Sequence, residues 1–208
     1  MAFTQARRLL SFVTPLGEDM LLLRTLQGQE GISTLSRFYL ELLSEDDAIA
    51  FNKIVGQNVT IQLALHEDQE RYINGFVSRF SQSGSDARFT YYHAEVVPWL
   101  WFLTRTADCR IFQALTVPDI LKKIFQEHGF SDFREALTRT YTKLDYCVQY
   151  RETDFNFVSR LMEQEGICYF FEHERGKHTL ALANAPEAHK SCPAQPKARY
   201  LPEGGVGE

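Results

Sequence analysis

The chain has 208 residues, enough for one large domain or two small ones that need no disulfide or metal to fold. A formal charge of −5 leaves no basic stripe for a nucleic-acid backbone, and 44% hydrophobic with 24% charged residues is the balance of a soluble globular protein. Aromatics at 13%, led by sixteen Phe and nine Tyr, favour β structure.

Arg7 and Arg8 precede an apolar run from Leu9, but Pro15, Gly17, Glu18 and Asp19 break it too early for a signal peptide. No stretch approaches the roughly 20 apolar residues of a membrane span, so export would use a route that reads no N-terminal address. Residues 7–97 read as successive antiparallel strands. Leu9–Thr14 and Met20–Leu26 flank PLGED and predict a hairpin. Phe38, Leu40 and Leu42 alternate with Tyr39 and Glu41. A short helical patch is expected over Asp46–Ile54, closed by Gly56. Val59, Ile61, Leu63 and Leu65 alternate with Thr60, Gln62 and Ala64, and His66–Glu70 forms the next turn. Ile73–Phe80 is a strand through Gly75, where a bulge or sharp bend is expected. Arg88–Val97 is another, with Phe89, Tyr91, His93 and Glu95 opposing Thr90, Tyr92, Ala94 and Val96. This spacing predicts a small barrel or sandwich.

Pro98 ends that block. Trp99, Trp101 and Leu103 alternate with Leu100 and Phe102, the pattern of a buried strand. Thr116 opens an amphipathic helix with Asp119 as an aspartate capping box; Val117, Ile120, Leu121, Ile124, Phe125 and His128 share a face, and Gly129 closes it. Ser131–Leu137 reads as a further helical turn or two. Tyr146–Phe171 is the densest stretch: a strand alternating at Tyr146, Val148 and Tyr150, a Thr153 cap, a helix striped by Phe157, Val158, Leu161 and Met162, a Gly166 stop, and a strand from Ile167. Glu163 and Glu165 crowd the C-terminal turn of that helix, where the macrodipole disfavours anions. A hairpin turns at Arg175–Gly176–Lys177 and returns over His178–Ala183, after which the composition shifts to Ala, Pro, Lys and Gly. The fold class is therefore α+β and β-rich, with an N-terminal barrel-like domain over 1–97, a mixed helix and strand segment over 98–184 and an extended end over 185–208.

No catalytic constellation announces itself. His173-Glu174…His178 is the best metal candidate, but its spacing and Gly176 do not fit H-E-x-x-H, which needs both histidines one helical turn apart. His93 reads as a half-buried packing residue, and His128 as a cap of helical carbonyls. Glu152 and Asp154 flank a strand-to-helix corner, so their side chains should diverge rather than face each other as a glycosidase pair. Trp99, Trp101 and Phe102 read as core rather than a sugar platform. Cys109, Cys147, Cys168 and Cys192 show no metal or scaffold spacing and read as reduced thiols. The expectation is no enzyme, no cofactor, and no catalytic or metal-binding residue.

Four segments carry a resemblance: RYINGFV at 71–77, PWLWFL at 98–103, DCRIFQALTVPDIL at 108–121 and QYRETDFNFVSRLMEQEGICYFFEH at 149–173. Together they resemble VgrG, the spike family of type VI secretion systems, whose N-terminal region is similar to the baseplate hub of contractile phage tails. The resemblance implies a hub of two β-barrel units per subunit, with 98–184 belonging in part to the second. It implies a homotrimer of pseudo-sixfold symmetry that joins the hexameric Hcp tube to a C-terminal needle. The implied partners are baseplate components and effectors or adaptors, with no nucleic acid and no stable membrane insertion. Assembly would be cytoplasmic, followed by secretion through the machine itself. The alternatives are a hub or late control protein of a phage-like tail, a delivered cell-wall hydrolase with His173, Glu174 and His178, or a carbohydrate-binding module with Trp99 and Trp101. Arg151, Arg160, Glu163 and Glu165 belong to the family pattern, which implies that the crowded carboxylates are arginine partners; Glu165 is expected in a salt bridge.

Overall fold

A computed structural model describes residues 3–65, 69–191 and 197. Its first half is one curled antiparallel sheet, a half-barrel of strands β1 (Leu10–Val13), β2 (Leu22–Gln29), β3 (Arg37–Ser44), β4 (Asn58–Ala64), β5 (Glu70–Ser85) and β6 (Thr90–Val97). The order is β1-β4-β5-β6-β3-β2. The period-2 pattern decides which side faces in: Phe38, Leu40 and Leu42, Val59 and Ile61, and Tyr92, Ala94 and Val96 line one buried core. The turn expected at His66–Glu70 lies partly outside the described residues.

Three expectations for this half are corrected. The hairpin across PLGED does not form a ladder, because β1 pairs with β4 (Phe12 opposite Ile61) and β2 with β3. The turn residues reverse the chain, but they do not choose its partner. β1 and β2 instead become the two edges of the sheet, and the Gln5 side chain closes the seam between them. Its Oε1 accepts from the backbone N–H of Phe12 at 2.9 Å and of Leu23 at 3.1 Å, while its Nε2 donates to the Phe12 carbonyl at 3.4 Å. One buried amide thus stands in for a missing strand on both edges. Gly75 makes no bulge against β4, where Val59↔Gly75 is in register; the β5 irregularities lie at Val77/Arg79 and Gln82/Gly84 against β6. Gly75 is needed because a Cβ there would sit 2.7 Å from the Val97 carbonyl oxygen. The helical patch at 46–54 is only a single 3₁₀ turn over Phe51–Lys53.

The second half surrounds its own core. Trp99–Arg105 is a 3₁₀ helix rather than the expected strand, burying Trp99, Leu100 and Leu103 on one side. β7 (Ala107–Phe112) then pairs with β9 (Cys147–Thr153). Helix α1 (Val117–Glu127) starts at Thr116, whose hydroxyl oxygen accepts from the Asp119 N–H, and the Asp119 carboxylate accepts from that hydroxyl at 2.6 Å. Helix α2 (Asp154–Glu165) is capped by Thr153 and stopped by Gly166 at φ 65°. Phe157, Val158, Leu161 and Met162 are all buried, as their spacing requires.

Segment 131–137 contains no helix. β8 (Phe133–Ala136) lies parallel to β11 (Lys177–Ala183), which is hairpinned to β10 (Cys168–Glu174). Phe133 packs on Phe125 of α1, and the Asp132 carbonyl accepts from the Leu180 N–H, a contact made nearly fifty residues away that no local pattern encodes. Of the end segment, 186–188 form a short 3₁₀ turn, and most of the rest lies outside the described residues.

Candidate functional site

The metal candidates occupy the hairpin of β10 and β11, where His173 and His178 are cross-strand partners with ring centroids 5.9 Å apart. Both nitrogens of His178 are already committed. Nε2 accepts from the Trp99 N–H at 2.9 Å, so Nδ1 carries the proton and donates to Asn74 Oδ1 at 2.7 Å. His173 Nδ1 accepts from the Asn74 N–H at 3.2 Å, which leaves its protonated Nε2 facing Glu30 Oε1 at 3.6 Å. Glu174 is exposed at the strand end. Among the described residues no three His, Cys, Asp or Glu side chains are grouped to hold a metal ion.

What these residues form instead is a buried polar junction between the two cores. Asn74 is its centre: its Nδ2 donates to Asn58 Oδ1, the Val59 carbonyl and Thr60 Oγ1 at 2.8–3.0 Å, and its Oδ1 receives His178. Thr60 Oγ1 also accepts from the Gly176 N–H of the hairpin turn at 3.1 Å. Phe76 packs edge-on against Phe102 and His178 beside it. Burial disfavours the imidazolium, with repulsion from His173 adding to it, so the pKa of His178 is pushed down to about 3. Burial also holds that of His173 below its ordinary value, despite Glu30. Both rings are neutral hydrogen-bonding parts. Sequence reasoning missed Asn74, because alternation puts it opposite Thr60 on the face turned away from Ile73 and Val77, and only the distant β10–β11 hairpin buries that face.

The other candidates are separated. His128 does not cap carbonyls with its ring; Nε2 meets Asp154 Oδ2 at 2.6 Å, because Asp154 is buried at the start of α2 and needs partners. Arg110 and Gln149 supply the rest, each 2.7 Å from Asp154 Oδ1. Glu152 diverges from Asp154, as expected, and pairs with Arg160 at 2.6 Å. Trp99 is buried against Phe125 and Phe130, which removes it from any sugar platform, while Trp101 is only partly buried under Arg105. His93 is exposed on the outer face of the half-barrel rather than half-buried. There it lines a shallow groove of about 310 Å³ with Tyr39, Glu41, Arg79 and Glu95. Glu165 lies 3.6 Å from Arg139, a partner on the loop after β8 and neither of the arginines of its own motif. Cys109, Cys147 and Cys168 are free thiols; Cys192 is outside the described residues.

Comparison with known proteins follows the same lines. Residues 29–208 match the model of the phage tail baseplate hub (GPD) family. The type VI secretion system spike protein VgrG1b of Pseudomonas aeruginosa is 45% identical over 202 residues, 97% of this chain and 27% of that protein. The chain thus spans about a quarter of the length of the curated relative it matches. A component of the E. coli type VI secretion system, described as structurally similar to T4 bacteriophage tail proteins, superposes at TM-score 0.72 with 27% identity, over 82% of this chain and 50% of that one. The 43 kDa tail protein of prophage MuSo2 from Shewanella oneidensis shares the fold at TM-score 0.53 and 14% identity, over 84% of this chain and 52% of that one.

Proposed function

The chain belongs to the phage tail baseplate hub family, and from that premise we propose that it is a structural, non-enzymatic part of a type VI secretion spike. In this reading residues 1–97 are one barrel-like hub unit and 98–184 the helix and strand segment of a second. Three copies form the hub that joins the hexameric Hcp tube to a puncturing needle and helps deliver effectors. The protein assembles in the cytoplasm and leaves with the machine it tips. The observation that carries the reading is the 45% identity to a spike protein across nearly the whole chain, against 14% to a prophage tail protein of the same fold. The junction supports it physically. A part pushed by a contracting tail needs stiff internal joints, and directional hydrogen bonds resist sliding where an apolar contact alone would not.

The test is co-expression of the protein carrying this chain with its Hcp partner, followed by native mass spectrometry. Three copies bound to one Hcp hexamer are expected. A carrier protein that stays apart from Hcp, with Hcp itself hexameric, would remove the spike reading.

A further inference from the structure

Residues 30–36, between β2 and β3, leave the half-barrel and lie along the outer edge of β10, the end strand of the three-stranded sheet. The Ser33 N–H donates to the Tyr169 carbonyl at 2.8 Å, and the Tyr169 N–H donates to Ser33 Oγ at 3.4 Å. Leu35 packs on the second core, and Glu30 pairs with Arg71 of β5. The loop is a strap, rooted in one core and laid on a strand edge of the other. A strap of this make closes weakly. Ser33 holds φ at 53°, a left-handed conformation that residues other than glycine and asparagine mostly avoid. Residues 30–34 are all exposed, Ile32 at 59%, so ordering them buries little in return. The Glu30 and Arg71 side chains are 38% and 54% exposed, where an ion pair contributes little. Among the described residues four buried side-chain polar atoms make no hydrogen bond within the chain. Three of them, Ser36 Oγ, Tyr169 Oη and His173 Nε2, belong to the foot of the strap or to the strand beneath it. The joint at Asn74 is the opposite case, with its amide nitrogen and oxygen and both nitrogens of His178 engaged.

We propose that this strap is a releasable brace, which lifts from β10 as a local unit while the Asn74 joint stays shut. Closed, it ties the two cores at a second point and covers the edge of β10. Open, it frees the Tyr169 N–H and carbonyl, relaxes Ser33, and returns to water Ser36 Oγ and the His173 Nε2 that Glu30 faces at 3.6 Å. The contacts broken are few and lie at one edge, so they part at far less cost than the joint, whose members are buried and mutually bonded. The strap is a property of the fold and is independent of the spike reading.

Native-state hydrogen exchange, read by NMR on the intact chain across urea concentrations below the unfolding transition, separates strap from joint. The Ser33 and Tyr169 amides are expected to exchange at a urea-independent rate, with protection about 100-fold or more below that of the Trp99 amide held by His178. Protection and urea dependence at Ser33 and Tyr169 that match those of Trp99 would mean that strap and joint open only together, and would overturn the proposal. Ser33→Pro removes the strap's donor and forbids its φ, so it enforces the open state. In that variant Tyr169 should lose its remaining protection, while Trp99 stays the more protected by at least the wild-type factor. A variant that fails to fold, or in which the Trp99 amide loses protection together with Tyr169, would show the strap to be part of the joint and would equally overturn it. The Hcp experiment is indifferent to either result.

Discussion

Protonation of the histidine junction should make this protein lose stability well before its carboxylates titrate. His178 has an ordinary pKa of 6.5 when unfolded and about 3 when folded. A depressed histidine pKa means that the unfolded chain binds the extra proton, so stability is complete above pH 6.5 and falls as pH drops towards the folded value. Between pH 7.5 and 5 the group titrates through about 1.5 units in the unfolded state, and at ~1.36 kcal/mol per unit the loss is about 2 kcal/mol. His173, lowered in the same direction with Glu30 and Arg71 facing it, adds to this. The lowered carboxylates Asp19, Asp119 and Glu172 begin from ordinary values of 3.8 and 4.5, so they act mainly below this window. Urea unfolding at pH 7.5, 6.5, 5.5 and 5, with a carbon-bound proton of the His178 ring followed by NMR, measures both terms. His178→Gln should be less stable than wild type at pH 7.5, because its amide can still accept from the Trp99 N–H but leaves Asn74 Oδ1 without the Nδ1–H donor. Its stability should also change less with pH. A wild-type profile flat from pH 7.5 to 5, or a His178 ring that titrates above pH 6, would refute the argument whether or not the variant folds.

Three further outcomes follow from packing and hydrogen bonding. Gln5→Leu keeps the size but leaves two buried N–H groups and a carbonyl without their partner, which should cost about 2–4 kcal/mol; hydrogen exchange should accelerate first at Phe12 and Leu23, and unaltered exchange there would contradict the seam. Gly75→Ala drives a methyl into the Val97 carbonyl and the Val96 side chain, both 2.7 Å away, for a loss of about 1–3 kcal/mol in chemical denaturation. Leu161→Asp puts a carboxyl into the buried stripe of α2 and should remove cooperative unfolding of the second core; a wild-type melting curve would mean that the helix is turned the other way.

The parts of this fold legible in the sequence are those held by neighbours in sequence. Alternation placed β3, β4 and β6, the 3.6-residue stripe placed α1 and α2, and Thr153 and Gly166 bounded α2 to the residue. What was not legible depends on distant chain. β8 exists because β11 offers it an edge, the Trp99–Arg105 turn because His178 takes the Trp99 N–H that a strand would have used, and β1 leaves its apparent hairpin for β4. At the candidate site the residue types were visible and their partners were not. His128 belonged to Asp154 and Glu165 to Arg139, pairings that helix position alone could not choose.

Three of the four segments that carry the family resemblance converge on the junction. RYINGFV supplies Asn74 and the glycine that lets β5 approach Val97, PWLWFL supplies the Trp99 N–H, and the long motif ends at His173, whose cross-strand partner is His178. Each alone is an ordinary strand or turn. Together they form a joint in which one asparagine of β5 bonds to β4 of the half-barrel and to both strands of the hairpin packed on it. Substituting one member leaves another buried and unpaired. An apolar contact between the two cores could trade one large side chain for another at little cost. A joint of this kind permits far fewer replacements. Three separated segments of the chain thus meet where two separately packed cores are fixed in angle, and a hub proposed to bear the thrust of a contracting tail would depend on that angle.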